Sequence, residues 1–249
     1  MAITSSSSEQ ALMKMIVLSD PATVAQRAAT IIALEARAAT AARGRFMMAV
    51  SGGHTPWIML RALVDEDVPW EHVHLLQVDE RVAPAGDADR NLTHLRQSLL
   101  DHVPLRSEQV HAMPVEAVDL EAACAQYAAT LAGVAGCPPV LDLVHLGLGP
   151  DGHTASLVPG DRVLDAAGVD VALTGPYQGR RRMTLTYPVL NRARRVLWVV
   201  TGAEKMTMLG RLLDGDLSIP AGRVRRDSAL VVADRAAAGK SAPGPEEGI

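Results

Sequence analysis

The sequence predicts an α/β fold with an open, mainly parallel central sheet flanked by helices. Three observations predict it. Short β-type runs alternate with longer stretches of helical periodicity along the chain. The runs FMMAV, VHLLQV, VLDLVHL and VLWVV are almost continuously apolar, as strands buried on both faces must be. Each polar or glycine-rich cluster begins where one of these runs stops.

Taken in order, a strand at 15–18 leads into a helix at 21–43, a strand at 46–50 into a helix at 56–64, and a strand at 73–78 into a helix at 91–103. A helix at 118–131 precedes the strand at 140–146, and a strand at 196–200 precedes a helix at 204–213. Residues 182–187 are strand-like. No internal repeat or long linker interrupts this order, so 14–238 reads as one domain, with room for a small second lobe inside 160–187. Residues 1–13 and the tail 239–249 (GKSAPGPEEGI in the latter) are too poor in apolar groups to repay the entropy of ordering, and read as a disordered segment and a flexible tail.

Composition removes several classes of function. A net charge of −4 and 3% aromatic residues supply neither the basic field nor the stacking platform of a nucleic-acid binder. Two cysteines, Cys124 and Cys137, build no disulfide framework, and no Cys-x-x-Cys pair is present to hold zinc, which points to a reduced, cytoplasmic setting. No apolar run approaches the roughly 18 residues of a membrane span, and residues 1–10 are Ser-rich without a basic start, so neither membrane nor secretion is expected.

In a parallel sheet all strand C-termini share one edge, so the clusters converge on one crevice. After FMMAV come Ser51, Gly52, Gly53, His54, Thr55 and Pro56. The glycines allow a sharp turn, Thr55 suits an N-cap and Pro56 the first helical position, and such a helix start presents free N–H groups to an anion. The Gly-Lys-Ser/Thr of a Walker loop is missing. Residues 147–152 match Gly-x-Gly-x-x-Gly, yet His153 to Val158 run into Pro159-Gly160 where a dinucleotide-binding helix should start. The better use of that segment is the pair Asp151 and His153: a carboxylate beside an imidazole fixes its tautomer and suits a general base near neutral pH. Arg81 and Lys205 are natural phosphate ligands, and of Arg180, Arg181 and Arg182 one faces an anion while the other two face solvent. His72 and His74 lack the carboxylate pattern of a metal site, and Ser156 lacks a Gly-x-Ser-x-Gly elbow.

The ordered motifs SGGHTP, DERVAP followed by Asn91, GLGPDGHTASLVPG, RMTLT and TGAEK, with the closing IPAG and ADRAA, cover roughly residues 46–236. Together they resemble the 6-phosphogluconolactonase branch of the family shared with glucosamine-6-phosphate deaminases. The resemblance implies a Rossmann-like sheet, hydrolysis of 6-phospho-D-glucono-1,5-lactone in the pentose phosphate pathway, and no metal or organic cofactor. It implies a site with His153 and Asp151 catalytic, and Ser51, Gly52, Gly53, Thr55, Asp79, Arg81, Asn91, Gly149, Arg182 and Lys205 around the substrate. The partner is a small sugar-phosphate lactone, with no nucleic acid or membrane, and the chain a monomer or weak homo-oligomer. The deaminase motif looks like Asp-Gly-His-Ile-Ala-Phe-Asn-Glu-Pro, whereas Val158 stands here in place of the Glu and carries no proton. Deaminase or isomerase chemistry is thus the alternative, and a non-catalytic sugar-phosphate sensor a second. His54, Arg90 and Val158 replace the usual Ser, Ser and Phe of the lactonase pattern.

Overall fold

The computed structural model describes residues 13–239, so the outer segments 1–13 and 239–249 lie outside the described residues except for Met13 and Gly239. Met13, placed by the sequence in the unstructured N-terminal segment, is buried in the core.

In chain order the elements are β1 (Lys14–Leu18), α1 (Pro21–Arg43), β2 (Phe46–Val50), α2 (His54–Leu63), β3 (Val73–Gln77), β4 (Asp79–Arg81), α3 (Asn91–Ser98), β5 (Val110–His111), α4 (Leu120–Ala135), β6 (Leu143–Leu146), β7 (Val171–Leu173), β8 (Arg182–Leu185), α5 (Tyr187–Arg192), β9 (Arg195–Val200), α6 (Met206–Asp214) and β10 (Ala229–Asp234). Seven strands form one sheet in the order β1-β10-β9-β6-β2-β3-β5, and every neighbouring pair is parallel. This is the open parallel sheet that the continuous apolar runs predict.

The side-chain period of two divides the core between the faces. Phe46, Met48 and Val50 of β2 join α1 and α2, while Met47 and Ala49 join α4, α5 and α6 on the opposite face. Helix α1 is well delimited: Asp20 accepts from Thr23 N–H at 2.9 Å, Pro21 opens it, and Gly44 closes it at φ 74 with its N–H on Thr40 O at 2.8 Å. Its buried face is largely alanine, including Ala25, Ala28, Ala29 and Ala36, which lets it lie close on the sheet.

A second, antiparallel sheet runs β4-β8-β7. Two of its strands lie inside 160–187, where a small lobe had room, but Val171, Leu173, Met183 and Leu185 belong to the same core as Val144 and Trp198. Helix α2 starts two residues earlier than expected. Gly53, at φ 131, takes the N-cap position, and Thr55 falls in the first turn, where its Oγ1 bonds Thr201 Oγ1 at 2.6 Å instead of capping. Helix α3 stops at Ser98, five residues short of the expected end, and a single 3-10 turn follows over Leu100–His102. Among the described residues no helix is long and apolar enough to cross a membrane.

Candidate active site

The C-terminal ends of β2, β6 and β9, together with β4 and β8, surround a cavity of about 450 Å³. Its wall takes in Ser51, Gly52, Gly53, Thr55, Asp79, Arg81, Asn91, Gly149, Arg182 and Lys205, along with His153. The structure therefore brings together residues up to 154 positions apart, the span from Ser51 to Lys205. Asp151 stands behind His153 rather than in the wall.

The β2 loop is fixed from below. Ser51 is buried, its N–H donating to His145 Nδ1 at 3.3 Å and its Oγ donating to His145 O at 3.0 Å. The Ser51 amide, which the sequence reading counted among the loop amides facing an anion, is thus engaged within the protein, whereas Gly52 and Gly53 lead into the start of α2. Gly52 admits no side chain, since a Cβ there would lie 1.8 Å from Asn91 Oδ1.

Glu80 organises the opposite wall, a role the sequence did not assign although it stands inside the DER motif. Fully buried, it accepts from Arg81 N–H (2.8 Å), Asn91 N–H (2.7 Å), Leu92 N–H (2.8 Å) and Gln77 Nε2 (2.9 Å). A carboxylate at the first turn of α3 satisfies donors that the helix cannot and suits its dipole. Arg90, only 2% exposed, faces Glu80 at 3.2 Å and reaches Glu116 at 2.7 Å. From this frame Asn91 donates to Asp79 O at 2.9 Å, and Arg81 donates to Asn91 Oδ1 at 2.8 Å and Asp89 O at 2.8 Å. Ser156 is committed too: its Oγ donates to Asp79 Oδ2 at 2.6 Å in a fully buried position, which leaves it no role as a nucleophile.

The loop after β6 builds the dyad. His153 Nδ1 and Asp151 Oδ1 are 2.5 Å apart, and the same oxygen accepts from His153 N–H at 3.1 Å. With Nδ1 taken by the carboxylate, Nε2 is the nitrogen that accepts a proton. Partial burial works against the Asp151 charge, but the His153 N–H and imidazole outweigh it and hold the carboxyl below its usual range. Gly149 brings the backbone under the ring, its N–H donating to His153 O at 2.8 Å, and a Cβ there would lie 2.1 Å from Nδ1. Gly152, at φ 84, turns the chain where a Cβ would meet Ile219 Cβ at 2.8 Å.

Of the three consecutive arginines, Arg182 enters the cavity wall. Burial lowers its pKa although Asp79 opposes the shift, and among the described residues neither its Nε nor that of Arg81 has an acceptor. Arg180, expected to face solvent, instead pairs with Asp87 (3.1 Å) and Asp89 (2.7 Å), while Arg181 remains half exposed with Glu121 3.7 Å away. His74 Nδ1 meets His111 Nε2 at 3.1 Å, and burial lowers the pKa of both. His72 is exposed beside Glu71. Thr201, Glu204 and His54 also line the cavity, and Tyr177 touches Asp151; none of them has a role in the sequence reading. A Tyr-Gln-Gly-Arg turn was the available signal for Tyr177. Val158 is buried, so no proton carrier stands at its place.

The family described as glucosamine-6-phosphate isomerases/6-phosphogluconolactonase matches residues 19–232. A 6-phosphogluconolactonase of Mycobacterium tuberculosis is 39% identical over 217 residues, covering 82% of this chain and 88% of that one. The crystal structure of a 6-phosphogluconolactonase from Thermotoga maritima superposes with a TM-score of 0.80 at 26% identity, covering 89% of this chain and 98% of that one. A monomeric glucosamine-6-phosphate deaminase superposes equally well, TM-score 0.80, over 92% of this chain and 100% of that one, at 18% identity, a likeness of fold alone.

Proposed function

The chain belongs to the glucosamine-6-phosphate isomerase/6-phosphogluconolactonase family, and from that premise we propose that it hydrolyses 6-phospho-D-glucono-1,5-lactone to 6-phospho-D-gluconate in the oxidative pentose phosphate pathway. The observation that carries the reading is His153, paired with Asp151 at 2.5 Å, in the wall of the same cavity as Arg81, Arg182, Lys205 and the N-terminus of α2. Both ends of a phosphorylated lactone find their chemistry there.

The 6-phosphate binds to the amides that begin α2 and to Arg81, Arg182 and Lys205, whose guanidinium and ammonium groups offset its charge. A phosphate oxygen also supplies the acceptor that the buried Arg81 and Arg182 Nε–H groups lack. Anchoring places the lactone carbonyl beside His153. Nε2 takes a proton from water as its oxygen bonds to the carbonyl carbon, and the carbonyl electrons move to an oxyanion. When the oxyanion collapses, the bond from that carbon to the ring oxygen breaks, and His153 returns the proton to the departing oxygen as the sugar hydroxyl. Asp151 stabilises the imidazolium between these steps. General-base assistance of this kind contributes about 10²–10⁴-fold, and the held geometry contributes the rest. Amides of the 147–152 loop are the oxyanion donors in this scheme.

The buried, uncharged Val158 argues against the deaminase alternative, and a dyad set over a cation-lined cavity argues against a sensor. In this reading the chain acts as a monomer or weak homo-oligomer, and two free thiols, Cys124 and Cys137, suit the cytoplasm. The test is the disappearance of the lactone over its spontaneous background. Wild type is expected to consume it and to leave glucosamine 6-phosphate unchanged, while His153→Ala loses most of kcat with KM within a factor of about two. Full activity in His153→Ala refutes the base assignment.

A further inference from the structure

Tyr177 lies on the connection between β7 and β8, outside every motif that marks the site. Its backbone pairs with Arg180 in both directions, at 2.9 and 3.2 Å, which closes a two-residue turn with Gln178 at φ 51 and Gly179 at φ 79. Positive φ at both central positions matches the twist of the flanking strands and makes a stiff hairpin. The hairpin is fastened at its tip, where Arg180 reaches Asp87 and Asp89, and at its base, where Thr174 N–H donates to Arg182 O at 2.9 Å.

From this support the Tyr177 side chain touches three parts of the site. Its hydroxyl donates to Asp151 Oδ2 at 3.2 Å. Its ring meets the His153 ring edge to face, with centroids 5.5 Å apart at 66°. The Arg182 guanidinium sits over the same ring, 4.9 Å from its centroid. Asp151 Oδ1 already serves His153 twice, so the Tyr177 hydroxyl is the protein donor that fixes the second oxygen and with it the plane of the carboxylate.

We propose that Tyr177 is a positioning residue for the hydrolysis, holding Asp151 in line with His153 through its hydroxyl and holding Arg182 at the cavity wall through its ring. This rests on the reading of Asp151 and His153 as the base and its orienting partner. Among the described residues the charged or titratable groups that face Asp151 are His153 and Tyr177, with Arg182 beyond the tyrosine ring.

The two contacts separate experimentally. Tyr177→Phe keeps the ring and removes the hydroxyl, so kcat falls about tenfold, the order expected for one hydrogen bond to a charged group, while KM for the phosphorylated lactone stays within twofold. Asp151, relieved of a donor, becomes more basic and pairs more strongly with the imidazolium, so the acid limb of kcat/KM moves to higher pH. Tyr177→Ala also removes the surface under Arg182, and KM rises about fivefold in addition. A wild-type kcat and acid limb in Tyr177→Phe, with His153→Ala inactive alongside, overturns the proposal and leaves the base assignment standing. An active His153→Ala overturns the base assignment and the proposal with it. Unchanged unfolding midpoints in Tyr177→Phe separate a positioning effect from a loss of fold.

Discussion

His145 makes stability depend on pH in a way that can be worked out beforehand. It sits in β6 with no solvent exposure, accepting from the Ser51 N–H at 3.3 Å, and its Nε2 has no partner among the described residues. Burial pushes its pKa from 6.5 down to about 3. The folded protein therefore keeps this imidazole neutral at pH values where the unfolded chain protonates it. Stability from this source is complete above pH 6.5 and is lost as pH falls from there toward 3. At about 1.4 kcal/mol per pH unit below 6.5, the loss on going from pH 7.5 to pH 5 is about 2 kcal/mol. The assay is denaturant unfolding of wild type and His145→Leu at both pH values. Because the other histidines titrate in both proteins, the readout is the difference between the two pH-dependent losses. Wild type is expected to lose about 2 kcal/mol more than His145→Leu. Equal losses refute the reasoning, since the imidazole would then be as free to take a proton in the folded chain as in the unfolded one.

The remaining predictions concern the frame around the dyad. Gly149→Ala sets a methyl against His153 Nδ1 and Asp151 Oδ1, with ideal positions 2.1 and 2.7 Å away. Shifting the pair by about 1 Å should lower kcat roughly 10²-fold with the thermal midpoint nearly unchanged, as steady-state kinetics and a melting curve would show. Glu80→Gln removes the charge facing Arg90, which is 2% exposed, and weakens the hold on the first turn of α3. A loss of about 3 kcal/mol in denaturant unfolding, with a raised KM as Asn91 and Arg81 lose their support, is the expected result.

What could be read from the sequence followed from burial. Strands β2, β3, β6 and β9 are largely apolar and buried on both faces, and a buried parallel strand has little choice but to look so. Strand β4 escaped because Asp79, Glu80 and Arg81 look like a solvated loop; they form a strand since Glu80 finds its donors in α3 and β8 pairs alongside. Strand β10 is apolar but no described helix follows it, so the strand-then-helix rhythm did not single it out, and its place between β1 and β9 is set by the topology. That the loops after β2, β6 and β9 meet at one cavity was legible because a parallel sheet collects strand ends on one edge. The roles of Tyr177 and His145 were not, because the YQGR turn marks where Tyr177 sits but neither role can be read without the contacts to Asp151 and Ser51, 26 and 94 positions away.

The 51–53 loop and the dyad loop leave adjacent strands, β2 and β6, held in parallel register at Met48↔Leu143 and Ala49↔Val144. Neighbouring strands in a sheet lie roughly 4.8 Å apart, a spacing set by backbone hydrogen bonds and insensitive to side chains. The sheet thus sets the separation between the two loops. That separation is a property of the backbone, so a side-chain substitution in either loop changes what the loop presents and leaves the distance between the loops in place.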